Sequence, residues 1–82
     1  MPVVDRGHSI QIPHGTTRAQ LGLVDTKNIA TVNVKDHAGT TITTFKLDSF
    51  HQRETATIPA PPAGQAYDLY NVGPSGLNVT WL

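Results

Sequence analysis

The chain has 82 residues, no cysteine, and six acidic and six basic side chains, with a pI near 6.9. A single domain of this length buries only about 60–65% of the surface that its unfolded chain exposes, and it has no disulfide to compensate for a thin core. Its neutral charge argues against nucleic acid or a membrane surface as partner, and residues 1–7 have neither the basic nor the apolar region of a secretory signal. We therefore expect one domain over residues 1–82, made in the cytoplasm and stabilised by oligomerisation or by docking on a larger body.

Polar and apolar residues alternate over most of the first half of the chain. Residues 1–8 are short and polar, and we expect an N-terminal arm in which Val3 and Val4 dock on a neighbour or stay unpaired. From Ser9 a period of two residues, typical of half-buried strands, predicts strands over 9–12, 17–25, 29–35 and 40–47. In the last of these, Ile42 is out of phase with the inward Phe45, which leaves open a β-bulge or an exposed Ile42.

The second half of the chain predicts three more strands. Residues 48–53 lack periodicity and are predicted to form a loop, with Phe50 as the candidate for a buried anchor. Strands are predicted over 54–58, 67–71 and 77–82, the last with Trp81 facing the core. The prolines at 59, 61 and 62 exclude a helix interior or a central strand, so that segment should cross from one sheet to another. About seven short strands without a helix predict an all-β fold, a small antiparallel β-sandwich.

Two stretches resemble known sandwich domains. Gly64, three residues before Tyr67, resembles the tyrosine corner of immunoglobulin-like and fibronectin type III domains, in which the tyrosine hydroxyl bonds upstream backbone. The resemblance implies an immunoglobulin-like sandwich with Tyr67, Gly64 and Trp81 as structural residues, while the missing cysteines leave the strand order open. The tail with 67–69 (Tyr-Asp-Leu) and 73–76 (Gly-Pro-Ser-Gly) resembles the C-terminal sandwich domain of bacterial phospholipase C. That domain is an appendage of a hydrolase, so no catalytic residue is implied.

No group of residues predicts a metal site or a catalytic site. The four histidines fall in four separate predicted loops, without a pair at ligand spacing, so we expect them to be solvated: His8, His14, His37 and His51. Residues 48–51 contain the residue types of a nucleophilic triad, but one loop cannot orient its own base, and an Asx-type bond at Asp48 is expected instead. Glu54 and Asp68 are expected to be strand-face charges. Residues 78–80 match a glycosylation acceptor, yet fit the outward face around Val79.

The expected function is therefore binding rather than catalysis, without a cofactor. A chain with so thin a core can hardly form a water-excluding pocket, whereas Tyr70, Phe50 and His37 are candidate binding residues unless they pack under loops. Our first hypothesis is a structural interaction module, such as a decoration or cement protein of a phage capsid, located in the virion and bound to the major capsid protein. The second is a lectin-like carbohydrate- or surface-binding module, and the third is a loop-presenting enzyme inhibitor.

Overall fold

The computed structural model describes residues 2–82, which form eight strands in two antiparallel sheets. The strands are β1 (Val3–Val4), β2 (Ser9–Gln11), β3 (Arg18–Leu23), β4 (Ala30–Lys35), β5 (Thr41–Leu47), β6 (Arg53–Thr57), β7 (Asp68–Pro74) and β8 (Leu77–Trp81). Sheet 1 has the order β1-β8-β3-β6, and sheet 2 has the order β2-β7-β4-β5. The predicted all-β antiparallel sandwich is confirmed. Residues 2–82 contain no helix long and apolar enough to cross a membrane.

The core lies between the two sheets because apolar residues alternate in register on their facing sides. In sheet 1, Leu21 of β3 pairs with Val79 of β8, and both are buried. In sheet 2, Val34 of β4 pairs with Leu69 of β7, and both are buried. The inward side predicted for each of the seven strands is therefore the side that packs, and the partly buried Trp81 packs against the same core.

The N-terminal segment is part of the sandwich from Val3 onward. Val3 pairs with Asn78 and Val4 with Leu77, and Val4 is 1% exposed within the core. This differs from the arm expected for residues 1–8, of which Met1 lies outside the described residues. A strand of two residues is too short for the alternation that identified the others, so its pairing had no signal in the sequence.

The prolyl segment crosses from sheet 1 to sheet 2, as its prolines predict. It joins β6 to β7, and Gln65 N–H donates to Pro62 O at 3.0 Å in the turn that contains Gly64. Tyr67 is buried at the start of the second sheet. Within the described residues its hydroxyl makes no hydrogen bond, so this corner has the buried tyrosine without the bond to upstream backbone.

Both alternatives for Ile42 hold at once. Lys35 pairs with Thr41 and Val34 pairs with Thr43, so Ile42 is the extra residue of a β-bulge in the β4–β5 hairpin. Its side chain is 40% exposed. The bulge restores the register, which places the following Phe45 on the inward side of β5.

Connections between the sheets gather at two ends of a molecule 39 Å long. Within residues 2–82 only the β4–β5 hairpin joins neighbours in one sheet, and the other connections cross between sheets. One end carries the loops 5–8, 24–29, 48–52 and 75–76, and the opposite end carries 12–17, 36–40 and 58–67. We call the first of these the Phe50 end.

Candidate functional site

A buried polar network around Asn71 fixes the Phe50 end. Asn71 is fully buried, and its Nδ2 donates to Val4 O and to Ser75 O, each at 2.8 Å. Its Oδ1 accepts from Gly73 N–H at 2.8 Å, and Ser75 Oγ accepts from Asp25 N–H at 3.0 Å. One amide group thus joins β1, β7 and the turn before β8, with its donors and acceptor all satisfied.

Backbone hydrogen bonds tie the loops of this end to one another. They run from Leu23 N–H to Gln52 O (3.0 Å), from Val24 N–H to Gly76 O (3.1 Å) and from Ser75 N–H to Ile29 O (2.8 Å). The first bond joins the end of β3 to the loop 48–52 and the other two join the loop 24–29 to the turn 75–76, so these loops form one interlocked surface. The conformation of each of these loops therefore depends on hydrogen bonds to other parts of the chain as well as on bonds within the loop.

Phe50 lies at the tip of a tight turn and is 98% exposed. Asp48 and His51 exchange two backbone hydrogen bonds of 3.1 Å, which leaves only Ser49 and Phe50 in the turn. The Asp48 Oδ1 accepts from Phe50 N–H at 2.9 Å and from His51 N–H at 2.8 Å, so the Asx-type bond predicted at Asp48 is confirmed. The prediction that Phe50 is a buried anchor is wrong, because a turn closed this tightly projects its tip away from both sheets.

Two further apolar side chains accompany Phe50. Val24 is 52% exposed and Ile29 is 50% exposed, and they begin and end the loop 24–29. The Ala30–Leu47 pair and the bond between residues 23 and 52 place both ends of that loop beside both ends of the loop 48–52. We call Val24, Ile29 and Phe50 the Phe50 surface. Exposed apolar side chains at one end of a small domain, an aromatic ring among them, are typical of protein-binding surfaces.

The structure does not bring the three predicted binding residues together. His37 lies in the turn before β5 and Phe50 lies after it, so the seven residues of Thr41–Leu47, about 20 Å of strand, separate them. Tyr70 lies on the outer side of sheet 2, where it pairs with Asn33. The Lys35 Nζ is 4.6 Å from the centroid of its ring, so an ammonium already covers one ring face. A single sugar site that uses all three side chains has no geometric basis.

Titratable groups do not converge on a metal or a catalytic centre among residues 2–82. No three histidine or acidic side chains in this part of the chain are grouped to hold a metal ion. The Asp48 carboxylate accepts backbone N–H bonds, whereas the His51 Nε2 lies 3.8 Å from the Glu54 Oε2. The residue types of a triad are thus present without the triad's arrangement.

Asn71, Val24 and Ile29 are site residues that the sequence did not single out. Asn71 is in phase with Tyr67 and Leu69, but a polar residue at an inward position is normally taken as the end of a strand. Val24 and Ile29 are isolated apolar residues in a polar loop, and only the pairing of β3 with β6 and β4 with β5 brings that loop beside the loop of Phe50.

Comparison with known proteins supplies no relative. No protein-family model, no curated protein and no solved structure matches the chain. Neither of the two resemblances in the sequence is therefore supported by a homologue, and no residue role can be transferred from another protein. Function has to be inferred from the Phe50 end itself.

Proposed function

We propose that this chain is a non-catalytic interaction module that docks on a larger assembly through the Phe50 surface. The observation that carries the proposal is the 98% exposure of Phe50 on a turn closed by hydrogen bonds of the Asp48 backbone and side chain. An exposed aromatic ring buries much apolar area when a partner covers it. Because the turn is already fixed, little conformational entropy is lost on binding.

We propose that the assembly is a virus particle and that the chain is a decoration or cement protein on the major capsid protein of a phage. A small neutral domain without cysteine suits such a role, and symmetry multiplies a weak contact into firm attachment. A second contact is available at β5, a seven-residue edge strand whose outer backbone groups are unpaired within the sheet. The last strand is less suitable, since β8 lies between β1 and β3.

The architecture we propose is immunoglobulin-like with its outer strands exchanged. In that fold, strands B and E pair in one sheet and strands C and F pair in the other. Here β3 pairs with β6, β4 pairs with β7, and β5 lies beside β4 where variable-type domains have strand C′. The last strand, β8, then occupies the place of strand A beside β3, and β2 occupies the place of strand G beside β7.

Co-sedimentation with particles from the native source tests the docking. The purified chain should sediment with them at a saturable stoichiometry, and Phe50→Ser should reduce the bound fraction at least about tenfold, as expected for an aromatic hot spot. Leu82→Ser is the matched control, because Leu82 is 54% exposed but follows β8 at the opposite end and lies outside β5. Equal binding of Phe50→Ser and the unaltered chain would refute the role of the Phe50 surface. Turnover of a substrate by the purified chain would refute the whole proposal.

A further inference from the structure

A concavity of about 250 Å³ opens on the outer side of sheet 1. Its lining comes from the outward residues of three neighbouring strands and from loops of the Phe50 end. The side chains that matter here are Gln20, Thr26, Arg53, Asn78 and Thr80, with Gly22 between them. It is smaller than the roughly 300 Å³ of typical drug-sized ligand sites, so it fits a single small group.

Gly22 lines this concavity, although the backbone conformation at this position does not require a glycine. Gly22 is not among the glycines with positive φ, and a Cβ built there would be 3.9 Å from Arg53 Cγ and 3.9 Å from Asn78 Cβ, which is ordinary contact. A glycine inside a strand weakens it, and such a residue often marks a place where a ligand approaches closely. The strand does not require a glycine here, and the missing side chain leaves space between Arg53 and Asn78.

The side chains around Gly22 offer hydrogen-bond donors and a positive charge that nothing in the chain uses. Among residues 2–82 the Arg53 guanidinium makes no ion pair and no hydrogen bond, and the side chains of Gln20, Asn78 and Thr80 make none either. Neither an acidic nor an aromatic residue lines the space. This excludes a cation and gives no ring for stacking a neutral sugar, whereas a guanidinium beside amide and hydroxyl groups suits a carboxylate.

We propose that this concavity binds a carboxylate, held by the Arg53 guanidinium and the Asn78 and Gln20 amides. We assign the carboxylate to an aspartate or glutamate side chain of the protein on which the chain docks. Thr26 and Gln52 line the concavity and belong to the loops that carry the Phe50 surface, so one partner can cover both. This assignment rests on the proposed function, while the binding of a carboxylate does not.

Titration of the full chain, followed by amide and Arg Nε chemical shifts, tests the proposal. The probe is N-acetyl-glutamate amide, compared with N-acetyl-glutamine amide and with sodium chloride at equal ionic strength. Saturable shifts should appear at Gly22, Asn78 and Arg53 with the glutamate probe alone. Arg53→Gln should weaken the apparent affinity about tenfold or more, as loss of a charge-assisted contact does. Arg18→Gln is the matched control, because Arg18 faces the same side of sheet 1 but does not line the concavity.

Gly22→Ala tests the same idea without removing charge. The variant should lose saturable shifts while its melting temperature stays equal or rises by a few degrees, about 2–6 °C. Identical titrations of Arg53→Gln and the unaltered chain would overturn the carboxylate site. Tenfold tighter binding of glucuronate than of the glutamate probe would overturn the protein source and support an acidic sugar. Loss of docking in Phe50→Ser with an intact titration would confirm that the two sites are separate.

Discussion

Asn71 shows how a single amide determines the geometry of one end of the molecule. A buried amide keeps its hydrogen bonds only in one orientation, and here it donates to Val4 O and Ser75 O while accepting from Gly73 N–H. Ser75, which this amide bonds, accepts from Asp25 N–H and donates its own N–H to Ile29 O, so the amide is linked to both ends of the loop 24–29. An apolar residue of similar size would fill the space but leave three backbone groups without partners.

The first prediction concerns the two N–H donors of the Asn71 side-chain amide. Asn71→Asp keeps the shape but replaces two N–H donors by an oxygen that faces two carbonyl groups, so the free energy of unfolding should fall by about 3 kcal/mol or more. Urea denaturation followed by Trp81 fluorescence measures the change. Asn33→Asp is the control, because Asn33 Oδ1 only accepts a bond from Thr44 Oγ1 and the aspartate retains that acceptor. A loss at Asn71 no larger than at Asn33 would contradict the role of the network.

The second prediction compares two glycines, one at a position where an alanine is strained and one at a position where it is not. Gly73 has φ +84°, and a Cβ there would lie 2.5 Å from Arg6 Cγ, so Gly73→Ala should destabilise the fold by about 1–3 kcal/mol. Gly22→Ala meets neither obstacle and should stabilise it by about 0.5–1 kcal/mol. Paired denaturation curves measure both changes. A stabilising Gly73→Ala, or a Gly22→Ala as damaging as Gly73→Ala, would show that the backbone is not held as described.

At the scale of elements, strands with a sustained period of two could be predicted, and elements fixed by contacts elsewhere could not. The alternation in β3 and β4 is strict and identified both the strands and their inward sides. The crossing between β6 and β7 followed from the prolines, which cannot pair within a sheet. In contrast, β1 depends on the edge of β8, and the exposure of Phe50 depends on a turn that the Asp48 side chain closes.

The third prediction concerns this turn as an element. Asp48→Ala removes the acceptor of two backbone N–H bonds and should lower the free energy of unfolding by about 1 kcal/mol, with faster backbone motion over 48–51 in ¹⁵N relaxation. Docking should weaken because the turn must then be ordered on binding. Asp36→Ala is matched to it, since Asp36 Oδ1 also accepts two backbone N–H bonds but at the opposite end. Equal docking by the two variants would exclude preorganisation of Phe50.

At the scale of the whole molecule, two sheets share one thin core, and the site exists only through their assembly. The concavity requires β3, β6 and β8 to lie side by side, although they are far apart in the sequence. The Phe50 surface likewise requires the loops 24–29 and 48–52 to be neighbours. Composition and alternation predict which side of each strand is polar, but the register between distant strands decides which polar residues meet. Phe50 was therefore the one residue of the candidate site that the sequence singled out, whereas the fold class could be predicted as a whole.

The fourth prediction follows from the shared core. Trp81 fluorescence reports sheet 1, whereas far-UV circular dichroism reports both sheets. Because the two sheets share one core and should unfold together, both signals should change at the same urea concentration. The spectrum of the folded chain should show strand without helix. A Trp81 transition separate from the circular dichroism transition would mean that the sheets unfold independently, and a substantial helical signal would contradict the fold.

Segregation of the loops to two ends has a practical consequence for attaching reporters to the molecule. The turn 36–40 lies at the opposite end from Phe50, and Gly39 N–H donates to Asp36 O at 3.0 Å within a self-contained hairpin. A fluorophore on a cysteine introduced at His37 would be the sole thiol of the chain, so labelling would be uniform. If the same cysteine is used to attach the protein to a surface, the Phe50 end faces the solution and stays accessible to a binding partner.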